Sequence, residues 1–427
     1  MKIVRGVYLK KFVRAAGILI VLALCTLYFL PAMQQYADIP REIYLQSGAS
    51  KTIDLGLPVE ADIKTQGVVN IGGETLEEAA GMHSPLVIES VGSGDATIEL
   101  KVLGLPVKHV DVCVSEEVMV IPGGQSIGVT LHTKGALVVG ITGVETPGGE
   151  VVNPARAAGM LPGDVIISIN GTVVQNADHV TRIIGETEGG LSVTADRNGR
   201  LIDFEIAPVA GADDVKRLGV WVRDSTAGVG TLTFILPDEK WFGGLGHAIC
   251  DLDTGSILSV KEGEIYFSEI LQVNKGESGI PGEIKGFFSS AAGNIGIIKK
   301  NTEFGIYGTL YRNVDVDEFA EPVPVARRSD ITPGPATILS MIDEDGVRAF
   351  TCEIVKVNTQ DNVGQKGMVI KITDEELLEK TGGIVQGMSG SPILQDGRLA
   401  GAVTHVFVNN PTKGYGLFAD WMLEQIE

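Results

Sequence analysis

The sequence predicts a mainly β protein of several domains behind an N-terminal membrane anchor, and three observations carry that prediction. A chain of 427 residues exceeds one ordinary core and is expected to divide into about two to four units. Its 55 glycines are nearly twice the usual share of about 7%, which favours turns and short strands over long helices. An uncharged run over 15–37, preceded by Lys2, Arg5, Lys10, Lys11 and Arg14, is long enough to span a bilayer.

The anchor comes first in the chain. Its apolar part, 15–33, covers roughly 28 Å as a helix, close to the thickness of a hydrocarbon core. Five positive charges ahead of it place residues 1–37 as a cytoplasmic start plus signal-anchor helix and send the chain from Asp38 outward across the membrane. A cleaved signal peptide is the competing reading, but the cleavage pattern is poor: Gln35 stands two positions before Ala37, and Ala32 follows Pro31. Leu22-Ala23-Leu24-Cys25 is only a faint lipidation signal, with Leu where a small residue belongs.

Composition removes several function classes. With 34 basic against 54 acidic residues the formal charge is −20, so no basic patch exists for nucleic acid. Cys25, Cys113, Cys250 and Cys352 are scattered singly, without C-x-x-C or Cys/His metal spacing, so neither a disulfide framework nor a metal site is expected. H-E-x-x-H, a complete G-x-G-x-x-G and a P-loop are missing, and the reading calls for no cofactor.

Residues 41–118 alternate short apolar runs with turns, as in Ala96-Thr97-Ile98-Glu99-Leu100-Lys101-Val102, and predict a small β-rich domain. Leu55-Gly56-Leu57-Pro58-Val59 and Leu103-Gly104-Leu105-Pro106-Val107 form a weak repeat there. His83 and His109 are solitary and read as structural.

Residues 121–209 carry Ser126-Ile127-Gly128-Val129 and, later, Ala158-Gly159-Met160-Leu161-Pro162-Gly163-Asp164-Val165-Ile166. This pattern resembles a PDZ domain. The resemblance implies that the backbone N–H groups of Ser126, Ile127, Gly128 and Val129 receive a peptide, which adds as a strand beside a helix at 178–186. Apolar Ile127 and Val129 point to a C-terminal Val, Ala or Leu as ligand. The chain's own segments are also candidate ligands.

Residues 218–427 hold the catalytic candidate. In Gly387-Met388-Ser389-Gly390-Ser391-Pro392 a serine framed by glycines can expose its hydroxyl while the N–H groups of Gly387 and Ser389 converge on an oxyanion. The hexapeptide is similar to the nucleophile segment of chymotrypsin-like proteases, with Met and Ser replacing an Asp and a Gly. It departs from the G-x-S-x-G elbow, because Ser391 stands two after Ser389. His247, in a glycine turn ahead of the serine, is the expected base, whereas His405 reads as a sheet-face residue.

From its basic start and anchor through Gly246-His247, Ile372-Thr373-Asp374 and the segment 382–392 to Gly401–Asn409, the chain resembles the stage IV sporulation protein B peptidase family. The resemblance implies a chymotrypsin-like β-barrel domain with a Ser-His-Asp mechanism, its serine, histidine and acid falling on Ser389, His247 and Asp374. It also implies release into the space between the forespore membranes by self-cleavage. The implied substrate is the membrane-bound regulatory subunit of an intramembrane metalloprotease complex, whose cutting lets a late sigma factor be processed. Asp374 opens an acidic helix start and reads equally well as a cap; Asp251, Asp253 and Asp361 are the other acids to weigh. Gly414-Tyr415-Gly416 reads either as a specificity-pocket wall or as a hairpin turn. An anchored PDZ scaffold with an inactive protease-like region and an HtrA-like quality-control protease are the alternatives; the second places its protease before its PDZ domain, opposite to the order read here.

Overall fold

The computed structural model describes residues 39, 41–53, 59–65, 67–72, 82–83, 85–102, 104–237, 240–288, 293–311, 321–358 and 364–426. The predicted anchor, the Leu55–Pro58 half of the repeat and Asp361 lie outside these. Among the described residues no helix is long and apolar enough to cross a membrane. The chain divides into two compact units, Met1–Val118 and Met119–Glu427.

In the first unit a five-stranded sheet and a three-stranded sheet enclose one core. Period-2 patterning decides which side chains enter it: along Gly94–Val102, Ala96, Ile98 and Leu100 are buried while the intervening residues are not.

In the second unit, after a short strand Met119–Pro122, a 16-residue strand, β1 (Ser126–Ile141), pairs antiparallel with another of 16 residues, β2 (Val220–Ile235), from Ser126↔Thr231 to Ile141↔Val220. Both strands belong to two domains at once. Their 126–132 and 225–235 ends join β3 (Trp241–Gly244), β4 (Val260–Phe267), β5 (Gly296–Thr302) and β6 (Gly305–Leu310). The pairings close a ring, β1-β4-β5-β6-β3-β2, around Ile127, Val129, Leu232, Phe242, Ile265 and Ile306. The distal ends of β1 and β2 continue into the PDZ unit with strands Val165–Ile169, Leu191–Arg197 and Arg200–Ile206. Helix Ala177–Glu186, capped by the Asn176 side chain, buries Val180 and Ile184 there. Buried Asp164 of the predicted motif is held by Arg197, Nε to Oδ1 at 2.6 Å.

The PDZ unit is therefore an insertion in the first barrel. Its entry and exit are the two long strands, which pair as His132↔Ser225 where the barrel ends. The sequence-based boundary at 218 omits a barrel strand, because a linear reading assigns all of β1 to the unit in which its motif was noticed.

The second barrel is β7 (Gly334–Met341), β8 (Val347–Val357), β9 (Met368–Ile372), β10 (Pro392–Gln395), β11 (Arg398–Phe407) and β12 (Asn410–Phe418), closed in the order β7-β8-β9-β12-β11-β10. Its core includes Ile338, Ile354, Met368, Ile370, Ile393, Val403, Leu417 and Trp421. A hairpin, Glu269–Asn274 and Glu283–Phe287, leaves the first barrel between β4 and β5 and reaches the second.

Candidate active site

Ser389 stands on a turn between the helix Glu375–Thr381 and β10, flanked by glycines that geometry demands. Gly387 and Gly390 have φ of +100° and +97°, where a side chain is strained. A Cβ on Gly390 would lie 2.2 Å from the Thr231 carbonyl oxygen and 2.6 Å from the Leu245 nitrogen, so its hydrogen is what lets the turn approach the first barrel. Three bonds hold it there: Thr231 N–H donates to Ser389 O at 3.0 Å, and the hydroxyls of Thr231 and Thr233 donate to Gly387 O at 2.7 Å and Gly390 O at 2.8 Å.

His247 arrives from the other side. It follows Leu245 and Gly246, which adopt φ of +70° and +67°. Leu245 is buried and not glycine, so strain is stored beside the site. Gly246 passes so close to β11 that a Cβ would sit 3.1 Å from Thr404 Cγ2 and 3.3 Å from Val403 O. His247 Nδ1 lies 2.9 Å from the Ala248 carbonyl oxygen. A carbonyl only accepts, so Nδ1 carries the proton and Nε2 keeps the lone pair a general base needs. The Ser389 hydroxyl donates to Thr404 O at 2.8 Å and must turn from it to meet that lone pair.

The N–H groups of Gly387 and Ser389 have no acceptor among the described residues. They are thus available to an oxyanion.

The structure does not bring Asp374 to His247. Its Oδ1 accepts from Leu377 N–H at 3.0 Å as the cap of helix Glu375–Thr381, and its Oδ2 accepts from Thr351 N–H at 3.2 Å. No hydrogen bond or ion pair joins it to His247 among the described residues. Asp374 is a helix cap, and the orienting partner of His247 is the Ala248 carbonyl. Asp251 is buried and likewise committed: Arg223 holds Oδ2 at 2.5 Å, while Oδ1 receives the N–H groups of Asp253 and Thr254. Against the cost of burial, the Thr254 bonds and Arg223 keep it below the usual carboxylate range. Asp253 pairs with the same arginine at 3.0 Å.

A second histidine, missed as a site residue, joins the first. The His405 and His247 ring centroids are 5.4 Å apart at 41°. Desolvation, then the charges of His247 and Lys366, hold His405 below the usual histidine value of 6.5. The signal lay in Thr404-His405, since Thr404 O is the anchor of the serine hydroxyl.

The expected peptide loop is also relocated. Ser126, Ile127 and Val129 are buried, and β1 is paired on both sides there, Ile127 with Gly230 of β2 and Phe267 of β4. The Phe288 ring occupies the space a side chain on Gly128 would need. No backbone group is left for a peptide. An open edge exists instead on β2 at 220–226, where no strand among the described residues pairs opposite β1. Helix Ala177–Glu186 runs beside it, its Ala177 N–H donating to Asp224 Oδ2 at 2.9 Å. Arg217-Leu218-Gly219-Val220, which leads into that edge, repeats the pattern of Ser126-Ile127-Gly128-Val129, with Gly219 at φ +77°. Among the described residues no cluster of His, Cys, Asp and Glu could hold a metal ion.

A serine on a glycine turn, a histidine in the base tautomer and two open N–H groups make this a serine peptidase. A profile of the SpoIVB peptidase S55 family matches residues 214–423, and a PDZ domain profile matches 151–194. Among solved structures, the active form of the Rv3671c protease from M. tuberculosis is similar at TM-score 0.29 and 13% identity, covering 47% of this chain and 73% of that one. The inactive form aligns at 0.26 and 12%, covering 46% and 82%. No curated protein matches the chain.

Proposed function

We propose that this protein is a membrane-anchored, exported endopeptidase that releases itself by self-cleavage and signals during endospore formation. Its substrate is the regulatory subunit of an intramembrane metalloprotease complex, and the outcome is late sigma-factor activation. The observation that supports hydrolysis best is the Gly387–Gly390 turn, which presents Ser389 beside the first-barrel histidine with two N–H groups open.

Ser389 Oγ attacks the scissile carbonyl carbon as its proton passes to His247 Nε2, and the carbonyl electron pair moves to an oxygen held by Gly387 and Ser389 N–H. The C–N bond then breaks, His247 returns the proton to the amine, and water hydrolyses the acyl ester by the same steps. The chain's own residues supply each step. A peptide adds to the β2 edge at 220–226, with its end received near Leu218-Gly219.

The test is an immunoblot of tagged chains in membranes, wild type beside Ser389→Ala and His247→Ala. Conversion of wild type to shorter forms, with both variants remaining full length, is expected. A Ser389→Ala chain shortened like wild type assigns the cutting to another protease and leaves an anchored PDZ scaffold.

A further inference from the structure

The hairpin 269–287 belongs to the first barrel by connection and touches it through Glu283–Phe287, but its hydrogen bonds reach the second barrel, including the segment that leads into the oxyanion turn. Gly276 N–H donates to Thr381 O and Gly279 N–H to Val408 O, both at 2.8 Å, and Ser278 Oγ donates to Asn409 O at 2.9 Å. Closest to the site, the hairpin grips Gln386 from both ends: Gln386 N–H donates to Gly282 O at 2.9 Å, and Ile284 N–H donates to Gln386 O at 2.8 Å.

The second of these bonds bears on catalysis through covalent geometry. Gln386 C=O and Gly387 N–H belong to one peptide plane, and in a trans peptide they point in opposite directions. Aiming the carbonyl at Ile284 aims the Gly387 N–H away from the hairpin, where it has no acceptor among the described residues. That bond opposes rotation of this plane. Gly387 sits at φ +100°, a region glycine shares readily with its mirror image, and a rotated plane puts a carbonyl oxygen where the oxyanion needs a donor. Ile284 also blocks the motion sterically. It is buried, and its Cβ lies 3.0 Å from where a Gly387 Cβ would stand.

We infer that the hairpin 269–287 is a positioning latch for the oxyanion hole: Ile284 N–H holds the Gln386–Gly387 peptide in the orientation that presents the Gly387 N–H. This rests on Ser389 being the nucleophile. Docked, the hairpin makes the hole; lifted, it unmakes it without moving Ser389 or His247. The tip is built to dock closely, because a Cβ on Gly282 would lie 2.6 Å from Val385 Cγ1, and one on Gly382 would lie 2.3 Å from Gly276 O.

The experiment uses the full chain with Ile284→Pro, which deletes that one N–H, and a fluorophosphonate probe from which Ser389 Oγ displaces fluoride. Labelling is expected to slow by about 100-fold or more, the effect of losing one oxyanion donor. With labelled casein as substrate, kcat falls by the same factor while KM stays in place. A general loss of structure moves KM and the melting curve as well. A second variant replaces 275–282 by Asn-Gly, a two-residue turn that rejoins the paired Asn274 and Glu283; it is expected to keep both barrels folded and lose at least about tenfold in labelling. Labelling of either variant within about threefold of wild type overturns the latch. A wild-type chain left unlabelled at Ser389 overturns the nucleophile assignment instead.

Discussion

At the scale of single residues, the site is governed by where hydrogens and carbonyls fit. Gly390→Ala must move the serine turn away from Thr231 and Leu245, and a shift near 1 Å is expected to cost about 100-fold in kcat/KM, measured as casein hydrolysis. Asp374 gives a sharper discrimination, since a cap and a catalytic acid respond differently. As a cap, Asp374→Asn keeps both stability and activity, whereas Asp374→Ala loses about 1 kcal/mol of stability in denaturant unfolding; if Asp374→Asn abolishes hydrolysis, the carboxylate is catalytic. His405 sets a pH dependence of stability. Its folded-state value lies below 6.5, so the unfolded chain binds the extra proton first. Its contribution is fully present above about pH 6.5 and is lost as pH falls toward the depressed folded value. Thermal melting of wild type is expected to drop between pH 7.5 and 5.5 by more than that of His405→Phe; parallel curves refute the assignment.

Among the elements, the strands β1 and β2 show how much of the site was legible. Ser389 and His247 could be picked out as candidates, because a glycine-framed serine and a glycine-turn histidine carry their reasons in local chemistry. The helix Ala177–Glu186 was equally clear from its apolar spacing. The Ser126–Val129 loop was misassigned, because its pattern suits a peptide-receiving loop as well as a buried strand, and only pairing on both edges distinguishes them. Binding of a fluorescent C-terminal peptide follows from the relocated groove. Gly219→Val, whose Cβ would lie 2.5 Å from Thr142 O, is expected to weaken it at least about tenfold, while Gly128→Ser chiefly lowers the melting temperature; the opposite pattern restores the original loop.

For the whole molecule, the nested topology makes the first barrel depend on residues before the PDZ unit. A fragment 218–427 lacks a barrel strand and is expected to be insoluble or molten by circular dichroism, whereas 119–427 folds. Replacing 134–223 with a short turn rejoins the paired His132 and Ser225 region and is expected to leave fluorophosphonate labelling of Ser389 intact. A fully folded, reactive 218–427 fragment contradicts the insertion.

The sequence by itself determined the strand-rich class and the PDZ unit, and it singled out the glycine-framed serine and the glycine-turn histidine as candidates, because each depends on residue types within a few positions of one another. The tertiary structure alone decided which strand closes the first barrel and that His405 faces His247. Those facts rest on contacts between segments far apart in the chain, as Thr231 and Gly387 are at 156 residues, and the physical reason is plain: local pattern sets which face of a strand is apolar, but not which partner covers its edge.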